Sequence, residues 1–216
     1  MSGAHKKNIV VAVLALQGDF AEHLQALAAI GASGFLLRKS EELDKADALI
    51  IPGGESTAIA KLSQDNDDPI FDTIRKKIAS GLPVYGTCMG SIFLAREIEG
   101  SKQGKLASMD IKVRRNAFGP QQNSFETKLA ISCLGKPDFL AVFIRAPLIT
   151  ACSKKVEVLA CLPDSVAEKM LLPASDKFAI QQNIVMARQD NILVSAFHPE
   201  LTADWRIHKY FLRMIS

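Results

Sequence analysis

Cys88 lies in the segment Val84-Tyr85-Gly86-Thr87-Cys88-Met89-Gly90-Ser91. Apolar and β-rich residues run into a Gly-x-Cys-x-Gly turn, and a helical pattern from Ser91 to Glu97 follows at once. This is the arrangement of a nucleophile elbow, with sulfur in the place of a serine oxygen. Gly86 and Gly90 keep side chains out of a crowded strand-to-helix turn. A thiol placed there projects at a helix N-terminus, whose positive end favours thiolate. A cysteine nucleophile needs three further parts: a base, an acid that orients the base, and donors for an oxyanion.

His198-Pro199-Glu200 supplies the first two. Pro199 biases His198 toward an extended backbone, and residues two apart in an extended segment share a side. Glu200 then holds one ring nitrogen of His198 while the other faces the thiol. Taken alone, the tripeptide reads equally as a strand-end histidine and a helix-start acid; beside the cysteine elbow it reads as a Cys-His-Glu triad. Pro52-Gly53-Gly54-Glu55-Ser56-Thr57 follows an apolar run. Its glycines free backbone N–H groups, so Gly54 and the amide of Met89 are the expected oxyanion donors. A phosphate loop is the competing reading, but the segment lacks the lysine and the glycine spacing that such loops need. Arg115 and Arg145 each sit among β-rich residues and suit a carboxylate; as isolated features they are equally surface arginines.

These groups must be carried by a scaffold. Asn8 to Leu16 is an unbroken apolar run, as for a strand covered on both faces. Phe20, Leu24, Leu27 and Ala28 recur at helical spacing, with Asp19 as the expected N-cap and Glu22 completing a capping box. Gly34–Arg38 and Ala48–Ile51 read as strands. A helical stretch from about Ser56 breaks at Asp67-Asp68-Pro69 and resumes to Ser80-Gly81. The alternation predicts an α/β fold: a mostly parallel central sheet flanked by helices, with ligands beyond the carboxyl ends of the strands. From Leu106 to Leu162 the pattern changes to short β-rich pieces (Met109–Val113, Phe139–Ile144, Val156–Ala160), read as an antiparallel extension of that sheet. Pro163 to Asp176 reads as a surface loop, Asn191–Phe197 as a late strand, and Thr202–Ile215 as the last helix. A chain of 216 residues fits one domain over residues 1–216.

A formal net charge of +3 with no long basic run argues against nucleic acid as a partner. The longest apolar run is far short of the roughly 20 residues a membrane span needs. The first residues do not read as a signal peptide. The four cysteines match no zinc spacing, which suggests a reduced, cytoplasmic protein in which Cys133, Cys152 and Cys161 are small buried apolar groups.

Together, Leu14-Ala15-Leu16-Gln17-Gly18-Asp19, Pro52 to Thr57, Gly86-Thr87-Cys88, Arg114 to Gln121 with Ser124-Phe125, Phe143 to Pro147 and Phe197 to Leu201 resemble the class I glutamine amidotransferases. Within them, Leu-Gln-Gly-Asp, Arg-Asn-x-Phe-Gly and Ile-Arg-Ala-Pro point to the glutaminase-subunit family of pyridoxal 5′-phosphate synthases. The resemblance implies a flavodoxin-like fold and hydrolysis of L-glutamine to glutamate and ammonia, with the ammonia passing to a partner synthase subunit. It implies that Cys88 is the nucleophile, His198 the base and then acid, and Glu200 its orienter. Gly54, Glu55, Ser56, Arg115, Ile144 and Arg145 would line the glutamine site, and Gln17 would lie near the partner interface and help form the active state. It implies low activity in the free subunit and requires no metal or cofactor. Two departures stand out. Met89 occupies a position where the family usually has a small residue, so its side chain is expected to narrow the cleft. The segment between Cys161 and Asn183 is longer than in compact bacterial members. A glutaminase for another pathway and a catalytically silent regulatory subunit are the alternatives.

Overall fold

The computed structural model describes residues 8–15, 18–54, 69–101, 104–119, 124–169 and 183–215. Its strands are β1 (Val10–Leu14), β2 (Ser33–Leu37), β3 (Ala48–Ile51), β4 (Val84–Thr87), β5 (Ala95–Ile98), β6 (Met109–Arg114), β7 (Ser124–Leu129), β8 (Phe139–Ile144), β9 (Leu148–Cys152), β10 (Glu157–Cys161), β11 (Ile184–Gln189) and β12 (Ile192–Ser195). The helices are α1 (Phe20–Ala29), α2 (Ile70–Ala79), α3 (Met89–Leu94), α4 (Asp164–Lys169) and α5 (Arg206–Leu212), with 3₁₀ turns at Ser40–Lys45 and Pro199–Leu201.

Strands β2, β1, β3, β4 and β12 lie side by side in that order and run parallel. Successive side chains of β1 enter different cores, which is why the run is apolar throughout. Ala12 and Leu14 join Leu49, Ile51 and Val84 against Ile70, Phe71, Ile74 and Ile78 of α2 and Phe93 of α3. Val11 and Val13 join Ala48, Ile50, Tyr85 and Leu193 against Leu27 of α1 and Ile207 and Phe211 of α5. Each fully buried Leu, Ile or Phe contributes about 1.5–3 kcal/mol.

Beyond β12 the sheet continues through β11, β9 and β6 in antiparallel pairs, with β10 also on β11 and β5 parallel to β6. The expected antiparallel extension therefore exists, with one correction. Phe139–Ile144 does not join it; β7 and β8 pair only with each other as a separate two-stranded sheet. Four other readings shift. The helix expected through Glu97 ends at Leu94, because Ala95–Ile98 is taken into register with Met109–Val113; strand pairing overrides a sequence that reads as helix. Asp164–Lys169, read as loop, is a short helix, while the rest of the long segment, 170–182, lies outside the described residues, as does the helical start near Ser56. The last helix starts at Arg206 rather than Thr202, because Thr202 Oγ1 and Asp204 Oδ1 accept the N–H groups of Asp204 and Arg206 and hold an irregular turn ahead of it. Cys133, Cys152 and Cys161 are free and half-buried rather than buried, and partial burial pushes each thiol up.

The parallel register decides what meets at the sheet edge. Ile51 is level with Gly86, and Thr87 with Ser195. The chains leaving β3, β4 and β12 are thus adjacent, and the Cys88 amide donates to Ser195 O at 2.8 Å.

Candidate active site

Cys88 has φ 46° and ψ −105°, a conformation that costs a non-glycine residue about 1–3 kcal/mol. The turn is over-determined by its neighbours. A Cβ on Gly90 would lie 2.1 Å from the Ile51 carbonyl oxygen, so only glycine lets α3 pack this close to β3. Ser91 Oγ and the Ser91 amide both donate back to Cys88 O, at 2.6 and 3.1 Å. Gly90→Ala should therefore lower stability by about 3 kcal/mol or prevent folding, read as the midpoint of denaturant unfolding against wild type; an unchanged midpoint would show that α3 can back away from β3.

The Met89 side chain is 1% exposed and belongs to the core cluster that includes Ile51 and Phe93. It does not narrow the cleft, because the helix turns it inward. As the first residue of α3, its amide is one that a helix leaves without an internal partner. Gly54 sits exposed at the end of β3 with φ 143°. The Gly53 amide donates to Thr87 Oγ1 at 3.1 Å and so is already engaged. Gly53 is in turn pressed by the site: a Cβ there would meet His198 Cε1 at 2.5 Å and Cys88 Cβ at 3.3 Å.

His198 packs beside Cys88 over Gly53 and, through Nδ1, reaches Glu200 Oε1 at 2.8 Å. Histidine and glutamate meet, but not through an extended segment. Pro199 sits at the start of a 3₁₀ turn, whose φ it presets, and Glu200 lies inside that turn. Both side chains are almost fully buried.

Asp19 is the residue that sequence reasoning misassigned. It occupies the N-cap position of α1 but makes no capping hydrogen bond. Its carboxylate instead lies 3.2 Å from His198 Nδ1, so the ring is flanked by two carboxylates. Burial opposes a charge on His198, yet bonds to Asp19, Cys88 and Glu200 outweigh it and push the pKa up to about 12. The bond to His198 holds Asp19 below the usual carboxylate range. Burial holds Glu200 above it despite its own bond to His198. The resting site is thus an imidazolium between two carboxylates and a sulfur. Asp19, His198 and Glu200 bring ligand atoms within 4.8 Å of one another, the one such cluster among the described residues. Its spacings of 2.8 and 3.2 Å are those of hydrogen bonds made by the ring nitrogen.

The small β7–β8 sheet leans on this edge. The His198 amide donates to Val142 O at 2.8 Å, and the Cys88 thiol donates to Ile144 O at 3.8 Å. Arg145 follows, exposed, with φ 43°. The Ala117 amide donates to Ala146 O at 3.1 Å, which brings the Arg115 turn beside the Arg145 turn. Phe118, Phe125 and Phe143 stack beneath them, with centroids 4.6–5.8 Å apart. Cys88, His198, Glu200, Gly54, Met89, Ile144, Arg145 and Arg115 are therefore gathered at one end of the sheet. Gln17, Glu55 and Ser56 lie outside the described residues.

Two further groups went unread in the sequence. His23 is fully buried on α1 and places Nε2 3.4 Å from Glu200 Oε2. His208 of α5, also fully buried, is 3.0 Å from His23 Nδ1. The signal for His23 was its place at helical spacing with Ala26 and Leu27 on the covered face of α1, where an imidazole requires a partner.

A family model described as the SNO glutamine amidotransferase family matches residues 13–216. The chain is 49% identical over 205 residues to pyridoxal 5′-phosphate synthase subunit PdxT of Carboxydothermus hydrogenoformans, covering 95% of this chain and 97% of that one. It is 52% identical over 202 residues to the PdxT of Pelotomaculum thermopropionicum, covering 94% and 93%. A crystal structure of a glutamine amidotransferase superimposes with a TM-score of 0.81 at 45% identity, covering 95% of this chain and 98% of the other. The structure of PurLQS from Thermotoga maritima, at 14% identity and a TM-score of 0.67 over 97% of this chain and 100% of that one, shares the fold.

Proposed function

Because this chain belongs to the SNO glutamine amidotransferase family, we propose that it hydrolyses L-glutamine to L-glutamate and ammonia and delivers the ammonia to a pyridoxal 5′-phosphate synthase subunit. Relatives named as pyridoxal 5′-phosphate synthase subunit PdxT match nearly end to end, which supports the pathway. The observation that carries the chemistry is His198 placed beside Cys88 and bonded to the Glu200 carboxylate on one sheet edge.

In this reading the Cys88 sulfur attacks the side-chain amide carbon of glutamine. The oxyanion that forms is held by the amides of Met89 and Gly54. The carbon–nitrogen bond breaks as His198 gives its proton to the leaving nitrogen, and ammonia departs. Water then attacks the thioester while His198 takes its proton, and glutamate leaves as the thiolate re-forms. Glu200 keeps Nδ1 protonated, so that Nε2 is the nitrogen that exchanges protons. Arg145 and Arg115, with Ile144, Gly54, Glu55 and Ser56, recognise the amino-acid end of glutamine, and Gln17 contacts the synthase. The chain acts as one domain over residues 1–216, in the cytoplasm; no helix among the described residues is long and apolar enough to cross a membrane.

The test is glutamate release from glutamine by the purified chain, alone and with a pyridoxal 5′-phosphate synthase subunit. Strong stimulation by the synthase is the expected result. Stimulation only by the acceptor subunit of another pathway would move the chain to that pathway, and no turnover with any acceptor would make it a silent subunit.

A further inference from the structure

Behind the triad lies a polar chain buried from end to end. Glu200 Oε1 is occupied by His198, but Oε2 is buried and accepts no hydrogen bond of standard geometry among the described residues. A carboxylate oxygen left so is costly. His23 Nε2 stands 3.4 Å from Oε2 and 3.2 Å from Thr87 Oγ1. Thr87 immediately precedes Cys88, and its Oγ1 also accepts the Gly53 amide. His23 Nδ1 is 3.0 Å from His208 Nε2, and His208 Nδ1 has no partner among the described residues.

The protons on this chain can be assigned by elimination. Burial above all, with the charge of His198 nearby, holds the pKa of His23 well below the ordinary histidine range, and burial alone lowers that of His208 to about 4. Each ring is therefore neutral and carries one proton. If His23 carried it on Nδ1, the bare Nε2 would face a carboxylate oxygen lone pair to lone pair. If it carries it on Nε2, that N–H is shared between Glu200 Oε2 and Thr87 Oγ1, and three-centre bonds are naturally long. His208 then donates from Nε2 to the bare His23 Nδ1. Its own Nδ1 is left as an unpaired acceptor, and no buried N–H is orphaned.

We propose that His23 is a positioning residue for the glutaminase reaction: its Nε2–H holds the outer oxygen of Glu200 and ties that carboxylate to Thr87 and the cysteine turn. This rests on the glutaminase reading above. His23 touches neither nucleophile nor substrate; it acts by keeping Glu200 ionised and in the plane that His198 needs. The charged and titratable groups around Glu200 are His198 in its own turn, Asp19 ahead of α1, His23 within α1 with His208 of α5 behind it, and Tyr85 of β4, which burial keeps protonated. Of these, His23 is the group that can donate to Oε2.

The sign of the pH effect follows. His198 keeps its proton far above neutrality, so the acid limb of kcat/KM reports the carboxylates, of which Glu200 titrates higher. Removing the His23 donor raises Glu200 further. In the complex with the synthase, His23→Leu should move the acid limb up by about one to two pH units and lower kcat at pH 7 about tenfold or more, with KM for glutamine little changed. His23→Gln, which restores an N–H near the same position, should return most of both. A wild-type pH profile in His23→Leu overturns the proposal, as does equal loss in both variants without a shift of the limb.

Nitrogen-15 histidine spectra of the wild-type chain give a second readout that needs neither activity nor a folded variant. His23 should show a proton on Nε2, a bare Nδ1 and no titration from pH 5 to 8. A ring protonated on Nδ1, or one that titrates in that range, overturns the assignment. If the wild-type complex releases no glutamate, the glutaminase reading fails while the spectra still decide the hydrogen bond.

Discussion

Cys88→Ala should abolish glutamine hydrolysis, by about 10⁵-fold or more in kcat, in the presence of the synthase. The argument is local. Alanine occupies φ 46° no worse than cysteine, so the turn keeps its backbone, its amide bond to Ser195 and the Ser91 contacts to Cys88 O. The loss is one sulfur atom at a site 7% exposed, with its contacts to Ile144 O and His198. The fold and synthase binding should therefore persist while the proposed nucleophilic atom is gone. Turnover is read as glutamate release, and trapping as the mass added by a glutamine-mimicking electrophile in wild type and not in the variant. Residual turnover within about a hundredfold of wild type would assign the nucleophile elsewhere.

His198→Asn should lower kcat by about 10⁴-fold, with binding to the synthase retained. Here the effect is electrostatic as well as chemical. In the proposed reaction the ring carries protons between sulfur, leaving nitrogen and water, and its charge also separates Asp19 from Glu200. The shorter amide reaches neither task. Two carboxylates that the imidazolium held ionised then face each other, and one takes up a proton. Because His198 is 4% exposed, its removal should leave the outer surface for the partner unaltered. Kinetics and a binding titration on the same sample separate the two effects. Unchanged turnover would sink the triad.

How legible was this in the chain? Cys88 was readable because everything that defines an elbow is contiguous: an apolar strand, two glycines four residues apart and a helix start. His-Pro-Glu was readable for the same reason, although the turn that joins its ends is 3₁₀ and not extended. Asp19 was read by local grammar as a cap, since an acid before an apolar helix usually is one. Only the fold shows its carboxylate turned away to a histidine 179 positions later. Ala95–Ile98 failed for a related reason: its residues favour helix, and its partner strand lies more than ten residues on.

By itself the sequence determined the parallel β-α layering, the cysteine turn and the types of groups that serve it. These depend on contiguous residues, where hydrophobic period, proline and glycine act at short range. The tertiary structure alone decided which groups share a wall. It levelled β3, β4 and β12 so that Gly53, Cys88 and His198 meet. It set the detached β7–β8 hairpin over the sulfur, turned Met89 into the core, and lined up Asp19, His23 and His208 behind the triad. A buried charge is tolerated only where partners converge in space, and that convergence is set by strand register and helix packing across the chain, not by any local pattern.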